Sequence, residues 1–134
     1  MTTDSLPQFV QHHLAELRHG NGDNAFHSLI EADPAIVPLL IAEFRRQPEA
    51  TFRDELLRVI AAFRLPDTIP FFTERLFDAH WKAGLDFFVA QASPEALNAL
   101  ERARTRRFDS QRGTDEFRAW LEEAIAQTHA AQRT

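Results

Sequence analysis

The chain has 134 residues, 44% of them apolar and 26% charged, with a formal net charge of −5 and no cysteine. That is the composition of a folded domain large enough for a core, and it excludes disulfides, thiol nucleophiles and cysteine-bearing metal sites. The mild acidity argues against a general nucleic-acid binder and slightly favours a basic partner.

The first predicted helix starts at Ser5, where Ser5-Leu6-Pro7-Gln8 reads as a capping box with proline in the first turn. Leu6, Phe9, Val10, Leu14 and Leu17 recur along it at helical spacing. Gly20-Asn21-Gly22 ends it, and Asp23 or Asn24 is placed to cap the next helix, which carries Phe26, Leu29 and Ile30 and stops near Asp33-Pro34. The following helix shows Val37, Leu40, Ile41 and Phe44 as an apolar stripe, and Gln47-Pro48 closes the unit. A second unit holds Phe52, Leu56, Leu57, Ile60 and Phe63, then Pro66-Asp67, then Ile69, Phe72, Leu76 and Phe77. A third runs from Trp81, Leu85, Phe88 and Val89 through Ser93-Pro94-Glu95 to Leu97 and Leu100. Pro38 and Pro70 would each disfavour a helix interior by about 3 kcal/mol. Their equivalent positions, four residues after a turn proline, instead mark the true first turns of their helices. Arg106 to Thr114 reads as a polar loop. A last helix is expected from Thr114 or Asp115 to His129, with Phe117, Trp120, Leu121, Ala124 and Ile125 on one face, followed by fraying from Ala130 to Thr134.

These units repeat. Leu57, Ile60, Pro66, Ile69 and Phe72 are matched 28 positions later by Leu85, Phe88, Pro94, Leu97 and Leu100. Pro34, Val37 and Leu40 are matched 32 positions later by Pro66, Ile69 and Phe72. A period near 30 residues, helical on both sides of a proline, is the signature of stacked helical hairpins. One such unit cannot bury its apolar face alone, whereas stacked neighbours can.

With these turns, and with Trp81-Lys82-Ala83-Gly84-Leu85-Asp86, Pro94-Glu95-Ala96-Leu97 and Trp120-Leu121-Glu122-Glu123-Ala124-Ile125, the chain resembles the short bacterial HEAT-like repeat proteins. The resemblance implies an all-α fold: a right-handed α-solenoid of about three hairpins over residues 24–107, capped by helices at 5–19 and 114–129, in one domain spanning 1–134. It implies protein binding rather than catalysis, and small helical proteins of this kind include immunity partners of secreted toxins. The expected partner is a protein, with no cofactor. The N-terminus lacks the basic-then-apolar run of a secretion signal, and the longest apolar stretch, Ile36 to Ile41, is short and holds Pro38. The expectation is a cytoplasmic protein without membrane contact.

Chemistry-bearing residues are sparse. His12 and His13 are adjacent on a helix and therefore point in different directions, no HExxH pattern exists, and no metal site is expected. Asp54-Glu55, Asp115-Glu116 and Glu122-Glu123 are adjacent acids on exposed helices, whereas paired catalytic acids converge across a cleft. Arg102, Arg104, Arg106 and Arg107 form a basic run suited to a helix C-terminus. If the core takes Val37, Leu40, Phe44 and their equivalents, then Ile41, Arg45, Thr73, Glu74, Phe77, Glu101 and Arg102 face outward along the concave side and form the expected partner surface. Two other readings follow from the same residues. One is a small-ligand protein or enzyme using Glu74 or Asp78 in a pocket between helices; the other is a non-inhibitory scaffold or homodimer.

Overall fold

The computed structural model describes residues 5–18 and 22–132, and every regular element among them is helical. Eight α-helices follow one another: α1 (Ser5–Arg18), α2 (Gly22–Ile30), α3 (Val37–Arg46), α4 (Ala50–Ala62), α5 (Ile69–Arg75), α6 (Trp81–Gln91), α7 (Pro94–Arg102) and α8 (Gln111–Gln132). Short 3-10 turns at Pro34–Ile36 and Pro66–Thr68 lead into α3 and α5, and a third, Ala103–Thr105, extends α7. The chain divides into two compact units, Met1–Phe63 and Arg64–Thr134.

The two proline-led turns are built alike. In each, a proline opens a 3-10 turn and the α-helix begins three residues later, so Pro38 and Pro70 occupy first-turn positions where the missing N–H costs nothing. Asp33 caps the first turn, its Oδ1 accepting from the Ala35 N–H at 2.9 Å. The second turn lacks an acid there, and the Thr68 hydroxyl donates to the Leu65 carbonyl at 2.7 Å instead. Ile36 and Thr68, 32 positions apart, are both buried. The segment before α7 is shorter: Ser93 caps the helix directly, its Oγ accepting from Ala96 N–H at 3.0 Å. Another likeness joins this segment to the one before α5. Arg64 (φ 52°) and Ala92 (φ 53°), 28 positions apart, both turn the chain in the left-handed region after a helix.

In the first unit α1 packs on α2 and α3, α2 packs on α4, and α3 packs on α4, which places α1 and α3 in one layer and α2 and α4 in the other. Leu29, Leu40, Phe44, Leu56, Leu57 and Ile60 fill the space between layers with no exposure. The second unit repeats the pattern: α5 packs on α6 and α7, and α8 packs on α6 and α7. Its core holds Phe72, Leu76, Phe88, Leu100, Phe117 and Leu121, all fully buried. Phe72 stacks on Phe87 with ring centroids 4.0 Å apart and planes 13° from parallel. Burying side chains of this size contributes about 1.5–3 kcal/mol each, which is the driving force for both layers.

The last helix differs from expectation. It starts at Gln111, not Thr114, and continues to Gln132. Ser110 supplies the cap, its Oγ accepting from the Gly113 N–H at 3.0 Å. Thr114 lies inside the helix and is buried, accepting from the Phe108 N–H at 2.9 Å and donating to the Ser110 carbonyl at 3.3 Å. The caps expected at Ser5 and at Asp23 or Asn24, and the Gly20-Asn21 break, lie outside the described residues and side chains.

Candidate functional site

In the second unit α5 and α7 lie side by side and leave a groove of about 390 Å³ lined by Ile69, Pro70, Thr73, Glu95, Asn98, Ala99 and Arg102. The repeat explains the pairing. Pro70 and Asn98 hold equivalent positions, and equivalent turns of two stacked helices meet along one furrow. The floor is apolar, with Ala99 buried and Ile69 half-buried, and Glu95 and Arg102 stand exposed on the rim. Thr73 is half-buried, and its hydroxyl donates back to the Ile69 carbonyl at 2.8 Å.

Of the seven residues expected to bind a partner, this groove brings together Thr73 and Arg102. Glu101, on the same helix, is turned to α8, where its Oε1 is 3.9 Å from His129 Nε2. Glu74 contacts Arg75 at 3.0 Å. Phe77 follows α5 and is 47% exposed. Ile41 (half-buried) and Arg45 (exposed) belong to α3 in the first unit. Neither lines the groove of about 270 Å³ between α1 and α3, which is formed by Pro7, Val10, Gln11, Leu39, Ala42, Glu43 and Arg46.

Among the described residues, several carboxylates face basic side chains. Glu74 and Asp78 both turn to the buried Arg75, whose Nε stands 3.1 Å from Asp78 Oδ2 and whose guanidinium lies over the Phe71 ring at 4.7 Å. Glu116 faces Lys82 at 3.7 Å, and Glu122 receives two hydrogen bonds of 2.8 Å from Arg104. That pair holds the Glu122 carboxyl below the usual carboxylate range, chiefly through the hydrogen bonds, and raises the Arg104 guanidinium.

The arginine run is used within the unit. Arg106 Nη1 donates to the carbonyls of Leu76 and Asp78, the latter at 3.0 Å, just past the end of α5. These are carbonyls that a helix end leaves without intrahelical partners. The same guanidinium covers Phe108 at 4.0 Å and Phe117 at 5.3 Å, and burial lowers its pKa from the usual arginine value. Arg107 donates to the carbonyls of Arg104 and Arg106 at 3.2 Å each. Arg102 is the member of the run that reaches the groove.

Trp81 is half-buried, packed edge-on against Phe117 at 5.2 Å and near Trp120 at 6.2 Å. Trp120 is 48% exposed, and Lys82 Nζ sits over both indoles, 5.3 and 5.0 Å from their centroids. On α1 the His12 and His13 ring centroids are 5.0 Å apart, with His12 exposed and His13 half-buried, and Glu16 lies beside both. The missed signal was the i+3 and i+4 spacing of Glu16 from the two histidines.

No protein-family model matches the chain, and no curated protein or solved structure matches it either. None of the helices among the described residues is long and apolar enough to cross a membrane.

Proposed function

We propose that the chain is a protein-binding module of the HEAT-like kind, an α-solenoid of stacked hairpins that grips a partner along α5 and α7. The observation that carries this reading is the α5/α7 groove, where an apolar floor is bordered by Glu95 and Arg102. Interfaces concentrate their energy in such places: a dry centre for an anchoring side chain, with polar groups around it that fix orientation. The recurrence of the proline-led helix start at α3 and α5 supports a repeated unit. The helices bounding the groove are held by a packed core, so docking sacrifices little chain entropy. The net charge of −5 favours a basic partner. In its finer form the reading is a cytoplasmic immunity or adaptor protein that occludes one partner.

Affinity capture from the native host with the tagged chain tests it, run beside the double variant Asn98→Arg/Arg102→Glu. Both substituted residues are exposed, so the variant should keep its helical circular dichroism. One stoichiometric protein whose Kd rises at least about tenfold in the variant, a loss of about 1.4 kcal/mol, is the expected result. A partner bound equally by both forms would remove the groove from the account, and no partner at all would remove protein binding. The activity of the captured partner, with and without one equivalent of the chain, separates inhibitor from adaptor.

A further inference from the structure

The face of α1 that carries His12, His13 and Glu16 has the donors and spacing of a cation site. A helix turns about 100° per residue, so Glu16 lies about 40° from His12 and about 60° from His13, between the two. A pair of adjacent histidines would diverge; a residue at the fourth position closes the triangle. One nitrogen from each ring and one Glu16 oxygen all lie within 4.8 Å of one another. His12 Nε2 is 2.6 Å from Glu16 Oε1, and His13 Nδ1 is 3.9 Å from the same oxygen.

A second, independent observation concerns His13. Its Nδ1 is sealed from solvent and has no hydrogen-bond partner among the described residues. Buried polar atoms in folded proteins are nearly always satisfied, and a bound ion is one of the few ways to satisfy one left over. The ring is positioned by Phe9, which packs edge-on against it at 4.4 Å. The nitrogen is therefore aimed by packing, not free to turn to water.

We propose that His12, His13 and Glu16 bind a late first-row divalent cation, with Zn²⁺ the principal one. Two imidazoles and a carboxylate are the donor set that suits such ions, whereas Mg²⁺ and Ca²⁺ demand oxygen. Around a tetrahedral Zn²⁺ with bonds of about 2.0–2.1 Å, ligand atoms stand about 3.3 Å apart. The His12–Glu16 contact must open slightly and the His13–Glu16 contact close slightly to reach that spacing. Both adjustments are side-chain rotations on a surface where His12 is 69% and Glu16 is 30% exposed. Three protein ligands leave a fourth position that water would fill.

Isothermal titration of ZnCl₂ into the full chain, free of any affinity tag, tests this. The parent should bind one equivalent, and His13→Gln and Glu16→Gln should each weaken binding at least about tenfold, since even the loss of an outer-shell partner costs that much. His27→Gln and His80→Gln, which change histidines elsewhere in the fold, should leave it unchanged. Co²⁺ gives a second readout that does not depend on heat: visible absorption of a four-coordinate ion in the parent, lost in Glu16→Gln. Glu16→Gln retains the shape and polarity of a half-buried side chain, so it keeps the test valid should His13→Gln disturb the packing against Phe9. No saturable binding by the parent would overturn the proposal, as would affinity unchanged in both ligand variants.

Discussion

Substituting Gly84 by alanine sets two physical effects against each other, and the sign of the result decides which governs the α5–α6 contact. Gly84 is buried in the first half of α6. Judged as helix alone, Gly84→Ala should stabilise by about 1 kcal/mol. Judged as packing, the new Cβ would stand 3.0 Å from Leu76 Cδ2, 3.3 Å from the Phe72 carbonyl oxygen and 3.5 Å from Arg75 Cβ. Leu76 is fully buried and has little room to retreat, and the carbonyl belongs to the backbone of α5. Overfilling a packed core costs about 1–3 kcal/mol. The balance is a net destabilisation of about 1 kcal/mol, which for a chain of this size lowers Tm by about 4 °C. Urea unfolding followed by tryptophan fluorescence and far-UV circular dichroism measures it. A variant more stable than the parent would refute the reasoning, because it would mean that α5 and α6 do not approach as closely at this glycine.

Two further outcomes follow from the backbone and the charges. Ala92 holds a left-handed conformation that costs a non-glycine residue about 1–2 kcal/mol, part of which glycine returns as unfolded-state entropy. Ala92→Gly should therefore stabilise by about 0.5–1 kcal/mol in denaturant titration, and a loss of stability would count against the αL cap. Glu122, whose folded carboxyl is held below the usual range, favours folding above the ordinary carboxylate pKa and loses that contribution as pH falls through its depressed value. Thermal melts should accordingly show Glu122→Gln less stable than the parent at pH 7, with the gap closing as pH falls below the ordinary carboxylate pKa and shrinking in high salt. A gap that is constant with pH would remove the ion pair from the explanation.

How legible this fold was depends on the kind of residue. The prolines were readable because proline has few permitted places: Pro38 and Pro70 could lie only in first turns, and they do. The core rows were readable because the repeat shows each apolar position more than once; Leu40 and Phe72 share one environment. The start of α8 was not readable in the same way. Ser110 and Thr114 are both plausible caps, and the choice was made by tertiary packing that buries Thr114 against the Phe108 backbone. The groove was half legible. Repeat counting pointed to two neighbouring rows, one holding Thr73 and Glu101 and the other Glu74 and Arg102, but it could not show that Glu101 turns to α8, because one helix face borders two neighbours at once. Arg106 was read as a helix-end charge, yet it closes the end of α5, and Arg75, which the sequence pattern did not single out, is buried among carboxylates and an aromatic ring. Nothing in spacing alone distinguishes an arginine that faces water from one that faces carbonyl groups.

Arg106 has a mechanical consequence for the groove. It follows the 3-10 extension of α7 and fastens to the Leu76 and Asp78 carbonyls that follow α5, so the two helices are strapped together where both end. At the other end of the furrow, near Pro70 and Pro94, the rim is formed by Glu95. The furrow is thus fastened by an arginine at its Arg102 end, and parting α5 from α7 there would break both of the Arg106 hydrogen bonds.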